Sequence, residues 1–161
     1  GKTKWQGELI VRGAIASARL MIVRPSFVYG GPRDNSSTLA KIIRDSLGER
    51  RGITATLDPQ KVKTFTHIFD FTYIFKQLVR YQRTGVYNIS SNRESSFASL
   101  VGIVEREGLE PKITYKPEED YLGNHIVDGS KAIELAYGIK PKDFEPVPVE
   151  HGVMELIKHE Q

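Results

Sequence analysis

Leu20-Met21-Ile22-Val23-Arg24-Pro25-Ser26-Phe27-Val28-Tyr29-Gly30 carries the strongest fold signal in this 161-residue chain. Four apolar residues in succession, without polar alternation, mark a strand covered on both faces inside a parallel sheet. Pro25 stops the run, and Gly30-Gly31 opens a turn. Upstream, residues 1–13 read as a helix. Trp5, Leu9 and Ile10 share one face, and Glu8 and Arg12 stand four apart as a helix-stabilising pair. A helix followed by a buried strand is the second half of a strand–helix–strand unit, whose first strand would precede Gly1.

Downstream, the composition of residues 30–37 (Gly, Pro, Asp, Asn, Ser) predicts a loop. Residues 38–47 carry Leu39, Ile42, Ile43 and Leu47 at helical spacing, and Gly48 ends that segment. Residues 53–57 and 63–68 alternate as strands, with a turn at Asp58-Pro59-Gln60 between them. Asp70 is placed to cap a helix through residue 82, whose buried stripe would include Ile74, Leu78 and Val79. A strand over 86–89, a helix opened by Ser95-Ser96, a strand over 112–115 and a short helix capped by Asp128 follow. A helix over 149–159 closes the chain. The expectation is an α/β fold.

Composition bounds the function. The chain holds 23 basic and 20 acidic residues, for a net charge of +3. The basic residues are dispersed and not interleaved with aromatics, which argues against a nucleic-acid partner. No apolar run approaches the ~20 residues of a membrane span, so no membrane partner is expected. Cysteine is absent, which excludes disulfides and thiolate metal sites and fits a cytoplasmic protein. No histidine stands at metal-ligand spacing. A modest positive balance suits a substrate that carries a diphosphate.

Gly1-Lys2-Thr3-Lys4, the segment 24–30, Thr66-His67-Ile68-Phe69-Asp70, Gly85-Val86-Tyr87-Asn88-Ile89 and Asp128-Gly129-Ser130-Lys131-Ala132 occur in that order. Together they resemble the carboxyl-terminal half of an extended short-chain dehydrogenase/reductase, the NAD-dependent nucleotide-sugar epimerase/dehydratase family. The resemblance covers the chain from Gly1 to about Gly152. It implies a partial Rossmann-type parallel sheet plus a small α/β substrate-binding lobe, with the amino-terminal nucleotide-binding half absent. Residues 1–161 would then be the carboxyl-terminal, substrate-binding part of one such domain.

The resemblance also assigns roles. Lys4 would be the catalytic lysine of a Tyr-x-x-x-Lys pair whose tyrosine falls just before Gly1; it would hold the nicotinamide ribose and lower the tyrosine's pKa. The turn Pro25, Ser26, Phe27 and Val28 would flank the nicotinamide. Phe27, Thr38, Leu39, Lys63 and Lys116 would meet the nucleotide-diphosphate sugar, with Lys63 and Lys116 near its phosphates. Phe27 stands where the family often has an asparagine that binds the diphosphate, a role phenylalanine cannot take. Lys63 replaces an arginine, keeping charge without the bidentate fork. No metal site is implied.

No Gly-x-x-Gly-x-x-Gly turn for a cofactor pyrophosphate occurs in the 161 residues. NAD or NADP would therefore belong to the full-length parent and not be bound by this chain alone. The parent chemistry, combining oxidoreductase with isomerase or lyase steps, is hydride transfer at a sugar hydroxyl followed by epimerisation, dehydration or reduction. The isolated chain is expected to be inactive, and to associate with the missing half or with itself. The rival reading is a non-catalytic nucleotide-sugar-binding or assembly module.

Overall fold

The computed structural model describes residues 2–31, 37–48, 51–120 and 123–160. Most of the predicted loop after Gly31 therefore lies outside the described residues. The elements that frame the site are α1 (Lys2–Ala14), β1 (Met21–Pro25), β2 (Phe27–Tyr29), α2 (Thr38–Leu47), β3 (Ile53–Ala55) and β4 (Val62–His67). They continue as α3 (Ile68–Arg80), β5 (Gly85–Ile89), β6 (Glu94–Ser96), α4 (Phe97–Arg106), β7 (Ile113–Tyr115), α5 (Ser130–Tyr137) and α6 (Val149–Glu160).

The 20–30 stretch feeds two sheets. β1 runs parallel to β5, from Met21 opposite Gly85 to Pro25 opposite Ile89. The chain then kinks at Ser26, whose N–H still donates to Ile89 O at 3.0 Å. β2 pairs instead with β4 in parallel, Phe27 opposite Phe65 and Tyr29 opposite His67. On its far end β4 pairs antiparallel with β6, while β3 and β7 form a separate parallel pair. Proline ends β1 because it has no N–H to continue the ladder, and the next three residues can re-pair elsewhere.

Two apolar cores result. One gathers Leu39, Ile42 and Ile43 of α2, Phe97, Leu100 and Val104 of α4, and Val153, Leu156 and Ile157 of α6 around Tyr29 and Phe65. The other packs Ile74 and Leu78 of α3 and Ile133 of α5 against Tyr87 and Ile89 of β5. The expected covering of β1 on both faces is corrected by the structure. Met21, Ile22 and Val23 are half-buried, and among the described residues β1 pairs along one edge only.

α1 also departs from expectation. Trp5, Leu9 and Ile10 share a face, yet no residue of α1 is buried and Ile10 is 72% exposed. Glu8 does not serve Arg12 chiefly; it receives a bidentate pair from Arg24 at 2.6 and 2.7 Å, tying α1 to β1. Three further readings shift. His67, not Asp70, caps α3, its Nδ1 accepting from Phe69 N, while Asp70 accepts from Val147 N at 3.0 Å. Val79 faces outward. Gly129 is the residue preceding α5, with Asp128 Oδ1 accepting from Ser130 N at 2.9 Å.

Candidate functional site

A cleft of about 420 Å³ opens where β2, β4 and the start of α2 converge. β2 contributes Phe27, Val28 and Tyr29, with Ser26 at the kink. Ser37, Thr38 and Leu39 come from the beginning of α2, where the Ser37 hydroxyl accepts from Ala40 N at 3.1 Å and fixes the helix start. Lys63 and Phe65 enter from β4, Thr56 and Leu57 from beyond β3, and Phe97 from the first turn of α4. Asp120 closes the far wall.

Buried hydroxyls tie β4 to the segments that cross it. Ser26 Oγ and Thr66 Oγ1 lie 2.6 Å apart, and Thr66 Oγ1 also accepts from Ser91 N at 2.9 Å. Ser91 Oγ donates to Phe65 O at 2.8 Å. Thr64 Oγ1 accepts from Val127 N at 2.8 Å. Each threonine of β4 thus binds a different crossing segment. Satisfying these donors inside the fold avoids the penalty of a buried unpaired polar group.

The only charged residues on the described wall are Lys63 and Asp120. Their side chains are 5% and 4% exposed, and Lys63 Nζ donates to both carboxylate oxygens of Asp120 at 2.8 and 3.1 Å. Asp120 also accepts from Asp58 N at 3.0 Å and Gly123 N at 3.2 Å. The Lys63 ammonium stands 5.5 Å from the centre of the Phe27 ring, within cation–π range.

Behind the cleft, Tyr29, His67 and Glu155 form a second polar cluster. His67 Nε2 lies 3.1 Å from Glu155 Oε2, without the alignment of a hydrogen bond, and the Tyr29 hydroxyl has no partner among the described residues. Burial pushes the Tyr29 phenol up and the His67 imidazolium down, the latter offset in part by Glu155. A Cβ at Gly30 would collide with the His67 ring, and Gly30 has φ +90°. Glycine there meets both demands.

Of the sequence-predicted residues, Ser26, Phe27, Val28, Thr38, Leu39 and Lys63 line one cleft. Pro25, Lys4 and Lys116 are exposed and stand outside its wall, and Lys116 Nζ donates to Glu119 at 3.0 Å. Thr56, Leu57, Phe97 and Asp120 were not foreseen. Nothing in one sequence tells which of Glu118, Glu119 and Asp120 turns inward.

The described residues do not by themselves fit a nicotinamide dinucleotide. At the turn beside β1, the N–H and the hydroxyl of Ser26 are both engaged within the fold, and Arg24 is held by Glu8. Among the described residues no Gly-x-x-Gly-x-x-Gly turn leads from a strand into a helix.

The backbone course is shared with proteins of known activity. The UDP-glucuronic acid 4-epimerase from Bacillus cereus, solved with UDP-glucuronic acid and NAD, superposes at a TM-score of 0.71 with 19% identity over 88% of this chain and 45% of its own. This is the fold of the carboxyl-terminal part of a nucleotide-sugar epimerase. The Helicobacter pylori ADP-L-glycero-D-manno-heptose-6-epimerase gives 0.65 and 18% over 87% and 43% of the two chains. RMD from Pseudomonas aeruginosa, complexed with NADPH, gives 0.70 and 15% over 88% and 48%. The chain spans less than half the length of these structures. Neither a protein-family sequence model nor a curated protein sequence matches it. Among the described residues no helix is long and apolar enough to cross a membrane.

Proposed function

We propose that the chain is the substrate-binding part of an NAD(P)-dependent enzyme acting on a nucleotide-diphosphate sugar, by hydride transfer at a sugar hydroxyl followed by epimerisation, dehydration or reduction. The observation that carries this reading is the convergence of Phe27, Thr38, Leu39 and Lys63, from three separate elements, on one cleft of an epimerase-type fold. Lys116, the fifth residue expected to meet the sugar nucleotide, stands outside this wall.

Lys4 serves in this reading beside a tyrosine, and the 25–28 turn flanks a nicotinamide; both need groups that these 161 residues do not supply. The chain alone is therefore expected to show no turnover. The uncovered apolar face of α1 and the single pairing of β1 support completion by an α/β part that carries the cofactor loop, or by a second copy.

Thermal unfolding with UDP- and dTDP-sugars, and with NAD, tests the proposal. A rise in midpoint with sugar nucleotides and none with NAD is expected. No response to any sugar nucleotide would favour the second reading, a module used only in assembly, which the engagement of Lys63 by Asp120 also favours.

A further inference from the structure

We propose that Asp120 is the specificity-determining residue of the cleft: by holding Lys63 it makes this wall neutral, so that an uncharged, hydroxyl-bearing part of the ligand lies there and a diphosphate does not. The inference deepens the nucleotide-sugar reading and rests on it for the identity of the ligand.

Three observations carry it. Lys63 is the only cation on the described wall, so among the described residues an anion arriving there has one cation to meet. That cation already donates to both oxygens of a carboxylate of equal and opposite charge. Asp120 is in turn fixed from two other directions, by the N–H groups of Asp58 and Gly123. A diphosphate placed at Lys63 would face a buried like charge less than one side chain away, in a setting where such repulsion is screened poorly. Displacing Asp120 would strip a buried carboxylate of its counter-ion.

The remaining surface fits the uncharged alternative. Phe27, Leu57 and Phe97 offer apolar faces, and Ser37, Thr38 and Thr56 place hydroxyl-bearing residues beside them. Aromatic and aliphatic walls with a few polar groups suit a sugar or ribose, whose hydroxyls can pair with those of Thr38 and Thr56. Asp120 therefore decides whether Lys63 acts as half of a neutral pair or as an anion receptor.

The test is titration calorimetry of the whole 161-residue chain with inorganic pyrophosphate and with UDP. Three proteins are compared: the native sequence, Asp120→Asn, and Lys63→Met/Asp120→Asn. Asp120→Asn is nearly isosteric and unmasks the ammonium, so it should bind pyrophosphate at least tenfold more tightly than the native protein. The double variant should return to native affinity for both ligands, because Lys63 gives a diphosphate nothing in the native state. Equal pyrophosphate affinity of the native protein and Asp120→Asn overturns the inference. So does a tenfold loss of UDP affinity in the double variant relative to the native protein, which also decides the matter where the single variant does not fold. If UDP binds to none of the three while Asp120→Asn gains pyrophosphate, the role of Asp120 stands and the nucleotide reading falls.

Discussion

α1 and α6 are helices of nearly equal length, 13 and 12 residues, with opposite fates. α6 buries Gly152, Val153, Leu156 and Ile157 against α2 and α4 and closes the larger core. α1 carries an equally legible apolar face and buries none of it. Amphipathic spacing specifies that a face will be covered, not what covers it. For α6 the cover lies within the described residues. For α1 the attachment that is present is polar, the pair between Glu8 and Arg24.

Truncating one leucine in each helix should give very different losses. Leu156 is 1% exposed, and Leu156→Ala should cost about 2–5 kcal/mol in urea unfolding. Leu9 is 47% exposed, and Leu9→Ala should change stability by less than about 0.5 kcal/mol. Comparable losses would mean that α1 is covered in solution, and a concentration dependence of the Leu9→Ala effect would assign the cover to a second copy. Trp5, the one tryptophan, lies on the same face. Its emission should be readily quenched by acrylamide in the chain alone, and protected once a partner covers α1.

Gly152 refines the account of α6, because close packing there has a specific cause. A Cβ at this position would fall 2.8 Å from the Tyr29 and His67 rings. Alanine in a helix interior ordinarily gains up to about 1 kcal/mol over glycine. Overpacking of a filled site costs about 1–3 kcal/mol. The second effect should win, so Gly152→Ala is expected to lower stability despite its helix propensity. A stabilised variant would show that α6 can move off β2 and β4 without loss.

Local pattern and long-range pairing were unequally legible. The helices, most of their apolar stripes and the opening of α4 at Ser95-Ser96 followed from spacing within a few residues. So did the cleft residues of β2 and of the α2 start, because the resemblance rests on contiguous motifs. What escaped was set by partners far apart in the chain. Lys63 reads as a solvated or phosphate-binding lysine until Asp120, 57 residues on, is seen to hold it. β2 and β6 are three-residue strands whose partner is β4, too short for alternation to register. Asp70 gave way to His67 as cap because the segment before α6 approaches and Val147 N claims the aspartate.

The smallest expected effect concerns the junction of the two regions, where His67 stands between the 20–30 stretch and α6. Its ring is fully buried, and its Nδ1 accepts from Phe69 N at 3.4 Å, so the neutral ring keeps its proton on Nε2, toward Glu155. Burial holds the imidazolium below its ordinary value of 6.5, with His151 pushing the same way and Glu155 opposing both. In the window below the unfolded value the unfolded chain therefore binds more protons than the folded one, and stability must fall as pH drops. The stability obtained from urea unfolding should decline from pH 7 to pH 5. His67→Gln should flatten that decline. Asp70 works with the opposite sign, since burial raises its carboxyl above 3.8 and its contribution is lost as pH rises. It remains in both proteins, so the difference between the two pH profiles isolates His67. A native profile that is flat over this window, or equal slopes in both proteins, would mean that the imidazole charges in place. Glu155 would then be binding a cation, and α6 would be held to β4 by an ion pair as well as by packing.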